Sequence, residues 1–144
     1  MSTIDPDKLK MFSFLLFTKL EGAVTSGMVH LGDQLGLYAA LAKSTQPMTT
    51  AQLAHATELN ERWVREWAYN QASARLISTT NTPSESPSID DDQFFLSPEQ
   101  VAVLADTNSP AFGMGMFHRL PQTMAALNKM PESFRTGVGH DYDS

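Results

Sequence analysis

Four histidines, His30, His55, His118 and His140, are the side chains best suited to move protons or bind a metal near neutral pH. They stand apart, with no HxxxH or HExxH spacing, and the sequence has no cysteine to complete a metal cage or act as a thiolate nucleophile. Solvated or core-edge roles suit them better. No serine lies in a GxSxG elbow, and Asp90, Asp91 and Asp92 fall in a polar loop, where they serve solvation rather than a paired acid and base. No catalytic constellation is visible.

Closely spaced glycines let backbone N–H groups approach a phosphate, which makes Gly113-Met114-Gly115 and Gly137-Val138-Gly139 candidate nucleotide loops. Neither follows an apolar strand. The first sits in a helical pattern and the second after the polar turn Ser133-Phe134-Arg135-Thr136. Phe112, Met114, Met116, Phe117 and Met124 are soft apolar side chains that suit a core or the wall of a pocket for an apolar ligand.

These residues depend on the elements that carry them. Leu9, Phe12, Leu16, Leu20, Val24, Met28 and Leu31 step by three or four, which predicts a long opening helix over residues 5–31 with Pro6 in its first turn. Met11, Phe14, Leu15 and Phe17 lie off that stripe. A helix apolar on two faces needs two covers, and a partner subunit or second domain is the natural one. A short helix over 32–43, kinked or stopped near Gly36, follows.

Thr49 with Gln52 forms a capping box that opens a helix to about residue 56, and Asn60 caps another over 61–76. Short helix, tight turn and longer helix make a helix-turn-helix. Residues 76–79 and 93–96 read as two short strands around a Pro-, Ser- and Asp-rich stretch, the shape of a wing. Ser97 with Gln100 is a second capping box, opening a helix to about residue 105. Two further helices are predicted at 111–120 and 122–130, bounded by Pro121 and Pro131, with a last turn at 132–135.

A winged helix invites a DNA-binding reading, with Arg62 and Arg65 at the start of its second helix as phosphate or base contacts. The charge opposes it. The 144 residues carry 10 basic and 16 acidic side chains, a net charge of -6. The excess lies wholly beyond residue 80, where the wing holds Glu85, Asp90, Asp91 and Asp92. Nucleic acid is the disfavoured partner, and a structural winged helix the favoured reading. The densest apolar run, residues 11–17, is too short for a bilayer and lacks a basic leader, so a cytoplasmic, unprocessed protein is expected.

The runs LGDQLGLYAALA (31–42), MTTAQLAHATELNERWVREWAYNQASARLI (48–77) and FFLSPEQVAVLAD (94–106) together resemble the N-terminal winged-helix domain of a family of SAM-dependent class I methyltransferases. The likeness covers residues 10–140, with LNERWVREW and LSPEQVAVLAD its most telling blocks, and GVGHDY (137–142) is similar to the linker into the catalytic domain. The resemblance implies dimerisation and a partial lid over the substrate. It also implies that the family's SAM loop would begin beyond Ser144, so that S-adenosylmethionine, expected for the full-length family member, is not expected to be bound by this chain.

The expectation is therefore a mainly α fold: a winged helix-turn-helix with one small β-hairpin at 44–97, a helical dimerisation arm at 1–43, and C-terminal helices and the start of a linker at 98–144. The expected function is the dimerisation and substrate-cap domain of a small-molecule methyltransferase, not catalytic alone, either as a fragment or as a stand-alone domain. Phe12, Phe17, Leu20 and Met28 are the expected homodimer interface, and Phe112, Met116, Phe117 and His118 the expected cap. The catalytic domain would act in cis or in trans. A winged-helix transcriptional regulator using Arg62 and Arg65 is the alternative.

Overall fold

A computed structural model describes residues 3–80 and 92–139. Helix α1 spans Pro6–Gln34, entered through Asp5, whose carboxylate accepts from the amides of Asp7 (3.0 Å) and Lys8 (3.3 Å). It continues past the expected end at residue 31. Gly36, in the left-handed conformation (φ 72°), makes the break and opens α2, Leu37–Lys43.

Strand β1 (Met48–Thr49) leads into α3 (Thr50–Thr57) through the expected capping box: the Gln52 amide donates to Thr49 Oγ1 at 3.2 Å and the Thr49 amide to Gln52 Oε1 at 2.9 Å. A left-handed Glu58 turns the chain into α4 (Glu61–Ser73), capped by Asn60. α4 ends three residues before the expected point, at a left-handed Arg75 that lets the Leu76 amide close back on the Gln71 carbonyl at 2.9 Å.

Strands β2 (Ser78–Thr79) and β3 (Gln93–Phe95) form the hairpin, and β1 adds to it, giving an antiparallel sheet in the order β1-β3-β2. Met48 pairs with Phe94 and Thr49 with Gln93, so the expected hairpin is corrected to three strands. A two-residue strand whose second residue also caps a helix has no alternation by which to recognise it. The Glu85, Asp90 and Asp91 positions of the expected wing lie outside the described residues.

Helix α5 (Pro98–Leu104) follows the second capping box, in which Gln100 Oε1 also accepts from the Ser78 hydroxyl at 3.1 Å and so ties α5 to β2. The helix expected at 111–120 is only the turn α6 (Gly115–His118). Pro121 and Pro131 do not separate helices as expected. Each stands in the first turn of one, α7 (Leu120–Ala126) and α8 (Met130–Thr136), where a missing amide costs no hydrogen bond.

The core gathers Val29, Leu37, Tyr38, Leu41, Leu53, Val64, Trp67, Ile77 and Phe94. α1 meets α4 at Gly32, where an added Cβ would stand 2.6 Å from the Trp67 ring. The Trp67 indole N–H donates to the Met28 carbonyl at 2.9 Å, and its ring meets Tyr38 edge-on with centroids 5.2 Å apart. The Tyr38 hydroxyl in turn donates to the wholly buried Gln71, whose amide donates to Asn70 Oδ1 at 3.0 Å.

Burial, reinforced by the Asp33 carboxylate, pushes the Tyr38 phenol well above its ordinary 10.0. The folded protein thus holds a proton that the unfolded chain releases above about pH 10. Tyr38 therefore contributes stability that is full below that pH and falls as pH rises further. Urea unfolding between about pH 8 and pH 11 should show a steeper alkaline loss for the wild type than for Tyr38→Phe. Equal slopes would contradict this linkage.

Candidate functional site

Among the described residues, nothing covers the N-terminal half of α1. Phe12, Phe17 and Leu20 are 68%, 66% and 62% exposed, and Ile4, Leu9, Met11, Phe14, Leu15, Leu16 and Val24 are exposed with them. Three phenylalanines and seven aliphatic side chains at such exposure present apolar surface on the order of 1,000 Å². That exceeds the largest patch of an ordinary monomer, about 300–600 Å². A bare helix of this length is also marginal in water, since tertiary packing supplies most helical stability.

Of the four residues expected at an interface, Phe12, Phe17 and Leu20 share this arm. Met28 does not: it is half-buried against the protein's own core, and its carbonyl receives the Trp67 indole. At the arm's inner end a groove of about 340 Å³ opens between α1 and the end of α4, with Phe17, Leu20 and Val24 on one wall and Asn70, Ser73 and Ala74 on the other. The α4 wall was missed in the sequence. Its one signal is the small side chains Ser73 and Ala74, which leave room for a neighbour. No helix among the described residues is long and apolar enough to cross a membrane.

The expected cap residues come together around α6 but are not equivalent. Phe112 and Phe117 pack against the core from its edge, while Met116 is 81% exposed and His118 is exposed beside it. Met114 is buried and anchors the turn. The Gly113 amide donates to the Val103 carbonyl at 2.9 Å, and Gly115 opens α6 with no strand before it. Gly113-Met114-Gly115 therefore lies in a packed turn and not between a strand and a helix.

On α4, Arg62 is exposed beside the exposed Trp63, but Arg65 is half-buried and its guanidinium lies 2.9 Å from the Glu61 carboxylate. A cation engaged in this way is a weak phosphate contact. Asp92, at the base of the wing, accepts from the Tyr69 hydroxyl. His55 is exposed on α3, His30 is half-buried on α1, and His140 lies outside the described residues. Among the described residues, no three His, Asp or Glu side chains gather where they could hold a metal.

Residues 23–105, more than half of the sequence, match the Rv2258c-like winged HTH domain. The chain belongs to this family. No curated protein matches the sequence. Among solved structures, this Rv2258c-like domain is similar to human N-acetylserotonin methyltransferase in complex with SAM. That likeness has a TM-score of 0.72 at 16% identity, over 97% of this chain and 37% of that one. It is also similar to the mitomycin 7-O-methyltransferase MmcR (0.70, 22%, over 94% and 37%). A third is RosA, the N,N-8-amino-8-demethyl-D-riboflavin dimethyltransferase from Streptomyces davawensis (0.61, 24%, over 93% and 35%).

The chain spans little more than a third of each methyltransferase, over its N-terminal domain. At these identities the likeness establishes the fold, which is the winged helix expected from the sequence.

Proposed function

We propose that this Rv2258c-like domain is the dimerisation and substrate-cap unit of a small-molecule SAM-dependent methyltransferase, working with a catalytic domain in cis or in trans. The observation that carries the reading is the arm: a helix apolar on two faces and bare over its first half, on a fold that nearly all of this chain shares with the N-terminal domains of three methyltransferases. Phe12, Phe17 and Leu20 form the interface, and Met28 supports the arm from inside. S-adenosylmethionine, held by the catalytic domain, supplies the methyl group. This domain's part is to associate and to place Phe112, Met116, Phe117 and His118 over the acceptor.

Light scattering at tens of micromolar tests association: the expected mass is twice the chain's 15.9 kDa. A monomer at that concentration removes the dimer. For the cap, Phe117→Ala in a methyltransferase containing this domain should raise the acceptor KM about tenfold and leave SAM affinity unchanged. An unchanged acceptor KM removes that assignment.

A further inference from the structure

α6 is a four-residue turn with no side-chain cap at its N-terminus, too short to hold itself together. Its own bonds are few: the Phe117 and His118 amides both donate to the Met114 carbonyl, at 3.0 and 3.1 Å. Met114 is buried and Phe117 half-buried, whereas Gly115, Met116 and His118 face solvent. Packing therefore grips α6 by two side chains, and the Gly113 amide, bonded to the Val103 carbonyl, holds the chain that enters it.

The C-terminal end of α6 is held from α1. His30 Nδ1 lies 2.9 Å from the Phe117 carbonyl oxygen, across a sequence separation of 87 residues. That carbonyl closes the C-terminal end of α6, where it also accepts from the Arg119 amide. A carbonyl only accepts, so the ring must carry its proton on Nδ1. A histidine donating to a terminal helix carbonyl caps the helix from outside.

His30 also stands where α1 itself is held hardest. Met28 on one side accepts the Trp67 indole, and Gly32 on the other lies against the Trp67 and Tyr38 rings. The donor is thus mounted on a fixed stretch of helix.

We propose that His30 is the positioning residue of the cap: its Nδ1–H bond to the Phe117 carbonyl pins α6 to α1 and fixes where Phe117 and Met116 stand relative to the arm. That α6 serves as a cap rests on the proposed function; the pin does not. Since α1 is also the arm, the same helix that meets a second subunit sets the position of the cap.

Two substitutions separate the hydrogen bond from the bulk of the ring. Asparagine places an N–H the same number of bonds from the backbone as histidine Nδ1, whereas leucine offers similar branching with no donor. Leucine is also a good helix former, so loosening in that variant cannot come from poorer α1 propensity.

Millisecond hydrogen exchange on the whole chain is the test, reading the amides of residues 117–119 against those of α4. In His30→Leu the amides at 117–119 should exchange about five- to tenfold faster, as loss of one hydrogen bond requires. His30→Asn should stay within about twofold of the wild type on the same basis, with α4 unchanged in both variants. Wild-type rates in His30→Leu would overturn the pin. So would an asparagine variant as loose as leucine, or α4 amides that accelerate together with those of α6, since either makes His30 a packing residue. A monomeric mass would remove the dimer reading and leave this exchange result standing.

Discussion

Gly32→Ala should destabilise the protein by about 1–3 kcal/mol, whereas Gly27→Ala in the same helix should stabilise it by about 0.5–1 kcal/mol. Alanine gains helix propensity at both positions, and the difference is what its Cβ meets. At Gly27 there is nothing within 4 Å. At Gly32 the methyl would stand 2.6 Å from Trp67 Cζ2, 2.8 Å from Trp67 Nε1 and 2.8 Å from Tyr38 Cε2.

Neither ring can step aside. The indole N–H is bonded to the Met28 carbonyl, and the Tyr38 hydroxyl is bonded to buried Gln71. Relief has to come from α1 moving off α4, which would strain the Trp67 bond and open the core at Val29. Gly32→Val should cost more than alanine, because it adds bulk and a β-branch. Urea unfolding of the three variants checks this, and a change of the same sign at Gly27 and Gly32 would show that α1 does not pass this closely over α4.

The second large effect is on association. Phe12→Glu with Phe17→Glu should raise the dimer dissociation constant about a thousandfold, since buried aromatic anchors each contribute about 2 kcal/mol or more. On the proposed association, the double variant should run as a monomer at tens of micromolar, where the wild type is expected at twice the chain mass. Helicity should fall with it, because among the described residues little else packs on the first half of α1 to sustain it. A double variant with the mass and helicity of the wild type would place the interface elsewhere.

Much of the fold was legible because its elements carry local chemistry. The reciprocal Thr49–Gln52 and Ser97–Gln100 bonds are written in residue types three apart, and both appear in the structure. Asn60 is likewise where the cap was expected. The three-four spacing of apolar residues marked α1, and its second apolar face already announced a missing cover.

The illegible parts depend on contacts between distant segments. Periodicity could not assign Met28 to the core rather than the arm, because the stripe it shares with Phe12 and Leu20 turns inward only where α4 arrives. Residues 111–120 carry a helical pattern of Phe and Met, yet the Gly113 amide is taken by Val103, so the helix is confined to one turn. The His30 contact with Phe117 joins residues too far apart in sequence for any spacing rule to pair them.

That the bare half of α1 meets its counterpart in a second copy is tested most directly by a distance measured between the two arms. With no native cysteine, Lys19→Cys gives one spin label per chain on an exposed position of the arm. Helices packed 8–10 Å apart, with a rise of 1.5 Å per residue, should place the two labels within about 40 Å, as a defined dipolar modulation. A label at Glu58, in the turn between α3 and α4, should give a longer and distinct distance. If Lys19→Cys shows no modulation at tens of micromolar, α1 does not pair, and some other surface must cover the arm.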